Sequence, residues 1–437
     1  MAGIIRGQVA TYNRDANIQP EHWERQVTDI LPNGHVPMTT FMDRAGKLTT
    51  TSRKYHWWDK EEPSLSGAVT DVYTDAAMSS AYASGGVDGQ PLYIKMAEAD
   101  AAQILRGHTL SIYDKPAGAT LEIATTTLVQ VDVRDVSLDG ANSRVAVKLM
   151  GADSGNMLAD ATLGWFIDAD FASEGDELPD SLFREPTPYQ NQTGIHMASC
   201  EMTGSELKEI ERIDPDKWER AIKESMRDMR KRRERALIFS TLKTSFVNGK
   251  EKRHYDGLRS FIPDANFFNV RTNTDWTGKV WATGGGLDIL DDIVLNTSRI
   301  KTDSTAKQLF VGDLGFQAIS RVVQNSTHFS WAADDTVYGV RVKTLRGTMK
   351  DLHIVIHPMF NEIDRFRRSG LVTELSYLKH VIFRPLQFIT GKTGNDESGY
   401  DWVDAKKAGW ICEQTVKCTH AQAFGWVDNL GLDGPSA

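Results

Sequence analysis

Glu174-Gly175-Asp176-Glu177, then Tyr189-Gln190-Asn191-Gln192-Thr193, then a helical run from Asp214-Pro215 to Asn248-Gly249, then Gly257-Leu258-Arg259-Ser260-Phe261-Ile262: the reading of residues 174–262 decides the fold. The acidic glycine-containing run predicts a turn, and the Tyr189 segment reads as a strand. Asp214 suits a helix N-cap and Pro215 the first helical position. Trp218, Ile222, Met226 and Met229 recur at spacings of three and four, and Leu237, Thr241 and Phe246 continue a rougher stripe. Asn248-Gly249 is the expected C-terminal stop. About 33 residues at 1.5 Å each predict a helix of about 50 Å. That is more than twice the usual globular length. An extended segment feeding such a helix is the shape of a subunit that reaches its neighbours.

Working outward, residues 1–60 read as an arm. Leu31-Pro32-Asn33-Gly34 and Val36-Pro37 interrupt regular structure, and Tyr55-His56-Trp57-Trp58 supplies large anchors that must pack on something else, in this chain or another copy. Residues 67–91, rich in Gly, Ala and Ser, read as loop. Residues 92–170 alternate as strands do, in Thr109–Tyr113, Leu128–Val133 and Arg144–Leu149, with Asp139-Gly140 as a hairpin turn and Ala97–Arg106 as a short helix. A small β-domain is expected there. Beyond residue 284 helices and strands mix: helices over 287–300 and 314–323, strands over 308–311, 340–344 and 352–356, and extended segments over 410–416 and 421–427. The fold class is α+β.

The chain has 437 residues, 40% hydrophobic and 25% charged, which is an ordinary globular composition. A net charge of −9 argues against a protein that condenses nucleic acid by its own charge. Three cysteines, Cys200, Cys412 and Cys418, make no disulfide framework and lack zinc-ligand spacing. No signal peptide and no membrane-length apolar run is visible, so folding in a reducing cytoplasm is expected.

Chemistry-bearing motifs are sparse. Gly391-Lys392-Thr393 resembles the end of a phosphate-binding loop, but Leu386 stands where the first glycine belongs. His353 and His357, on a strand, would lie about 13 Å apart, too far to share a metal. Ser154 in Gly151-Ala152-Asp153-Ser154-Gly155 lacks the glycine spacing of a nucleophile elbow. Asp288, Asp291 and Asp292 compensate a helix N-terminus. No catalytic residue, cofactor site or metal site is expected, and the chain is not read as an enzyme. The run Arg227, Arg230, Lys231, Arg232, Arg233 and Arg235 is a real basic cluster: 9 cations against 4 anions between Lys217 and Arg235. It reads as a solvated face laced with pairs such as Glu219–Lys223, as a contact to a neighbouring protein, or as a contact to nucleic-acid backbone.

The order of these elements resembles the major capsid proteins of tailed bacteriophages with the Hong Kong 97-like fold. The strand Tyr189–Thr193, the long helix and Gly257–Ile262 are similar to that family's strand, spine helix and following Gly-Leu motif. Pro37–Phe41 and Trp57–Glu61 look like its N-terminal arm, and Glu174-Gly175 like its acidic-glycine element. The resemblance implies an arm over 1–60 and an extended-loop region over 61–200 carrying the inserted β-domain at about 92–170. It implies a spine helix and the start of a peripheral domain over 201–260, an axial domain over 261–340, and remaining axial and peripheral strands over 341–437. The implied function is a structural subunit that self-assembles into the icosahedral head around double-stranded DNA. An encapsulin-like shell protein, or a nucleic-acid-binding module using the 217–235 helix, are the alternatives. Implied partners are other copies in hexamers and pentamers, portal, scaffolding and decoration proteins, and packaged DNA as a weak contact. No membrane is implied. The implied location is the virion capsid, assembled in host cytoplasm. Tyr55, Trp57, Trp58, Tyr189 and Asn191 are the candidate intersubunit anchors.

Overall fold

The computed structural model describes residues 36–60, 65–115, 128–153, 155–160, 162–171, 182–183, 185–209, 216–299, 304–325, 335–337, 340–346, 350–390 and 405–436. The acidic run 174–177, Asp214-Pro215, Ser154 and Gly391-Lys392-Thr393 lie outside them. The chain divides into two units, one comprising residues 1–57 and 189–437, the other residues 58–188.

In the first unit a four-stranded sheet has the order Lys47–Thr49, Leu378–Thr390, Ala405–Cys418, Gly194–Thr203. The first pair is parallel and the others antiparallel. The long helix packs on this sheet. Its Met229 is buried with Ala198 and Cys412, and the Trp410 indole N–H donates to the Ile222 carbonyl at 3.4 Å.

This helix runs from Lys217 to Phe239, 23 residues. At 1.5 Å per residue that is about 35 Å rather than 50 Å. The expected extension to Asn248 is corrected: Ser240 is already extended, and Lys243–Val247 pairs with Lys250–His254 as a β-hairpin. Asn248 (φ 51°) and Gly249 (φ 73°) form its turn. Both central residues of a tight two-residue hairpin turn need positive φ, which Asn-Gly tolerates best. The hydroxyl-rich and β-branched run Ser240-Thr241-Leu242-Lys243-Thr244-Ser245 favours the extended state over another helical turn. Gly257 reinforces the exit. Its N–H donates to the Ser240 carbonyl at 2.7 Å. A Cβ there would meet the Ile238 backbone at 2.8 Å.

A second correction concerns Val36-Pro37. Pro37 opens a nine-residue helix, Pro37–Ala45, rather than breaking structure. Its fixed φ suits the first helical position, where no N–H is needed. Met38, Phe41 and Met42 are fully buried with Leu237, Ile238, Phe310, Phe360 and Trp426. These three side chains therefore pack inside their own chain.

A seven-stranded mixed sheet has the order Phe267–Asn269, Gly425–Asp428, Gly370–Thr373, Ala306–Val311, Asp351–Ile356, Val340–Leu345, Asp335–Val337. Helices Gly285–Ser298 and Asp313–Asn325 contribute Ile289, Ile293, Ile319 and Val322 to a core shared with Leu309, Val311 and Ile354. Lys307 is completely buried in this region. Its ammonium donates to the carbonyls of Thr297 (2.9 Å) and Ala423 (2.8 Å) and lies 3.4 Å from Glu374, itself 3.5 Å from Lys350. Burial pulls Lys307 down to about 8, against the opposing pull of Glu374.

The second unit is a closed six-stranded barrel, all antiparallel, in the order Ser66–Tyr73, Pro91–Met96, Arg144–Leu149, Leu128–Ser137, His108–Asp114, Leu163–Asp170. Alternation along Leu128–Ser137 places Val129, Val131 and Val133 inside, around Trp165, Ile94 and Leu110. The expected loop at 67–91 is corrected at its start, since Ser66–Tyr73 is a barrel strand. Its small residues are there because space is short. A Cβ on Gly67 would meet Asp100 at 2.6 Å and the Trp165 indole nitrogen at 2.8 Å.

Candidate assembly surfaces

Lys54–Asp59 pairs with Thr187–Gln192 as a two-stranded ribbon. Trp57 is buried there, stacked on Tyr189 at 6.0 Å and packed on Phe261 at 5.8 Å. Tyr55 is half-buried, 6.2 Å from Trp57. Trp58 points the other way and is 64% exposed. Strand alternation separates the two tryptophans.

Asn191 is buried and uses its whole amide. Its NH2 donates to the carbonyls of Asp256 (3.1 Å) and Val416 (2.9 Å), and its oxygen accepts from the N–H of Asp256 and of Gln192, each at 2.9 Å. The Gln192 NH2 donates to the carbonyls of Lys243 (3.1 Å) and His254 (2.7 Å), at the base of the hairpin. The Thr193 hydroxyl donates to Glu413 at 2.6 Å, where Arg253 (2.8 Å) and Arg384 (3.2 Å) also converge. The Tyr189–Thr193 segment is thus a clasp between parts of one chain. Of the five candidate anchors, Trp57, Tyr189 and Asn191 are engaged within the chain, while Trp58 offers its ring outward.

The basic run of the long helix divides by face. Arg233 is buried. Lys231 and Arg235 reach Glu362 at 3.3 and 2.7 Å, and Arg232 lies 4.0 Å from Asp228. Arg230 is exposed and Arg227 half-buried. Exposed pairs of this kind contribute little stability. They do neutralise part of the cationic face.

Glu234, in the middle of the run, escaped the sequence reading. It is buried and caps the Pro37–Ala45 helix from across the core, accepting from the N–H of Met38 (2.7 Å) and Thr39 (2.8 Å) and from the Thr39 hydroxyl. His357 Nε2 lies 2.9 Å from the same carboxylate oxygen that accepts the Met38 N–H. The available signal was positional: Glu234 stands three and four residues before Leu237 and Ile238, on the apolar stripe. The two histidines separate: His353 bonds the Thr344 hydroxyl at 2.9 Å, and His357 turns to Glu234. Among the described residues no helix is long and apolar enough to cross a membrane.

The face of the four-stranded sheet away from the helix carries exposed apolar side chains. Met197 pairs with Ile411, and Ile389 with Gly409. Met197 is 66% exposed, and Ile195 and Ile389 are exposed beside it. Contiguous apolar surface of this kind marks contact with another molecule.

The apolar sheet face and the outward Trp58 ring are surfaces suited to contact with other molecules. The profile of the SU10 major capsid protein family matches residues 5–431, and the chain belongs to that family. Its role is structural, as a major capsid protein, and its place is the virion capsid. Solved structures similar to it include the capsid of a native GTA particle (6% identity, 96% of this chain and 98% of that one, TM-score 0.45) and a structure from Mycobacterium phage Bobi (8%, 97% and 97%, 0.43). The SrpI encapsulin of Synechococcus elongatus PCC 7942 is also similar (11%, 57% and 77%, 0.38). No curated protein matches the sequence.

Proposed function

We propose that the chain is the repeating wall subunit of an icosahedral phage head, arranged in hexamers and pentamers and assembled in host cytoplasm around space later filled by double-stranded DNA. The family match over residues 5–431 carries this reading. Portal and scaffolding proteins are its assembly partners, decoration proteins its outer ones, and DNA a weak, non-specific contact. Trp58 and the apolar sheet face supply area for subunit contacts. At about 25 cal/mol per Å² of apolar area, a few modest patches suffice, because each subunit engages several neighbours at once. Closed symmetry repeats the same contacts around the shell. Individually weak contacts let misplaced subunits leave before closure.

The test is expression of the full chain, alone and with its assembly partners, followed by sedimentation and negative-stain microscopy. Closed particles are expected. Protein that stays monomeric at high concentration with every partner present contradicts the proposal.

A further inference from the structure

Phe267–Asn269 is the end strand of the seven-stranded sheet, parallel to Gly425–Asp428. A cavity of about 650 Å³ runs past it, from Pro263 through 265–269. The 272–275 turn, Arg299 at the end of the Gly285–Ser298 helix and Gln422 close it in. Concavities of this size are the usual seats of ligands.

The pairing of this end strand leaves two backbone groups open. Val270 donates its N–H to the Asp428 carbonyl at 3.2 Å. In a parallel pair alternate residues bond to the same neighbour. Phe268 and Val270 therefore turn their peptide groups to Gly425–Asp428, and Phe267 and Asn269 turn theirs away. The Phe267 N–H is spent on the Asp264 carbonyl, and the Asn269 carbonyl accepts from the N–H of Thr272 (3.2 Å) and of Asn273 (3.0 Å). Among the described residues the Phe267 carbonyl and the Asn269 N–H are left. One residue of an incoming parallel strand bonds to both.

The side chains around the cavity add donors. The Asn269 side-chain oxygen accepts from the Arg271 N–H (3.1 Å) and the Asn429 NH2 (2.8 Å), and that of Asn273 accepts from the Asp275 N–H (3.0 Å). Each carboxamide is thereby held with an NH2 that has no acceptor among the described residues. Asn266 is buried in the wall and fixes it, donating to the carbonyls of Gln422 (2.7 Å) and Phe424 (2.8 Å). Arg299 and Asp275 are exposed, and among the described residues neither has an ion pair.

We propose that this cleft docks an extended peptide segment of a partner protein, laid parallel to Phe267–Asn269 with a carboxylate against Arg299. Open backbone groups on an end strand recruit the backbone of another chain. Unspent NH2 groups and a guanidinium select acceptors, which peptide carbonyls and a carboxylate supply. A nucleic-acid backbone fits poorly: Arg299 offset by Asp275 leaves no cationic surplus in the lining for a run of phosphates. One strand-pairing position and one exposed ion pair make a weak grip. That suits a partner that binds and leaves, not a lasting contact between copies of this chain.

The test presents the purified full chain with a soluble library of random hexapeptides, and with a matched library in which Asn and Gln replace every Asp and Glu. Acidic members should be retained with dissociation constants below about 1 mM, and the matched library should not. Arg299→Glu, at an exposed site, should leave the melting temperature unchanged and weaken the selected peptides at least about tenfold. Methylating the one peptide nitrogen that reaches the Phe267 carbonyl should cost a similar factor, while other positions tolerate it. No retained peptide, equal retention of both libraries, or retention indifferent to Arg299→Glu overturns the docking. So does an Asn269 N–H that is protected from exchange in particles of the chain alone but not in dispersed chain, which would seat a second copy there.

Discussion

Glu234 accepts the Met38 N–H at 2.7 Å across 196 positions of sequence. A helix that begins with proline has no side chain of its own at the cap, since Val36 offers none. The long helix supplies one instead, and this joins the chain before the inserted unit to the chain after it. Glu234→Ala should leave the amides of Met38 and Thr39 and the Thr39 hydroxyl unmet. At about 1–3 kcal/mol for each buried donor, the loss is at least about 3 kcal/mol. A thermal melt shows this as a drop of several degrees. An unchanged melt would remove Glu234 from the account of how this end of the chain is held.

Lys307 is buried against Glu374 and two carbonyls. Lys307→Met would strand the Glu374 carboxylate near Lys350 alone. Breaking a buried pair from one side costs about 3–5 kcal/mol. Denaturant titration of the variant beside Lys307→Met/Glu374→Leu is the check. The double variant should recover much of the loss, and failure to recover would mean the carbonyl contacts, not the ion pair, dominate.

His196 is held down to about 4, by burial and then by Arg233. In the unfolded chain it takes up a proton near 6.5. Between these values the unfolded state binds more protons than the folded one, so stability falls as pH drops from 6.5 toward 4. The span corresponds to about 3 kcal/mol. His196→Gln should flatten that part of the stability curve, with the Tyr255 hydroxyl still bonded in place of the present 3.0 Å contact. An identical slope in both proteins would show that other groups set the acid limit.

Asn191→Ala removes four hydrogen bonds that tie strand, hairpin exit and sheet. Loosening should spread to the hairpin through Gln192. Hydrogen exchange at Thr244–His254 is expected to rise by an order of magnitude or more, roughly the effect of 1.4 kcal/mol. Protection equal to wild type would separate the clasp from the hairpin.

Some of this was legible in the sequence for physical reasons. Period-two alternation exposed three barrel strands, and helical spacing from Trp218 to Met229 exposed the long helix. Asn248-Gly249 suits both a left-handed helix cap and a hairpin turn. Only the packing of the strands beside it decides between them. The strand Ser66–Tyr73 hid behind small residues whose reason is a tryptophan nearly 100 positions away. Glu234 hid among arginines, because a buried carboxylate is defined by partners that only the folded chain brings to it. The anchors were legible as large residues, but which of Trp57 and Trp58 turns outward depended on strand phase.

The central claim is that this chain builds a closed shell. Electron cryomicroscopy of the full-length protein, expressed with its assembly partners, tests it most directly. The account predicts icosahedral particles whose wall repeats one density per subunit, with the Lys217–Phe239 helix lying on the four-stranded sheet and a six-stranded barrel also present in each subunit. Only dispersed monomers, or particles whose wall density cannot hold that helix and sheet, would contradict it.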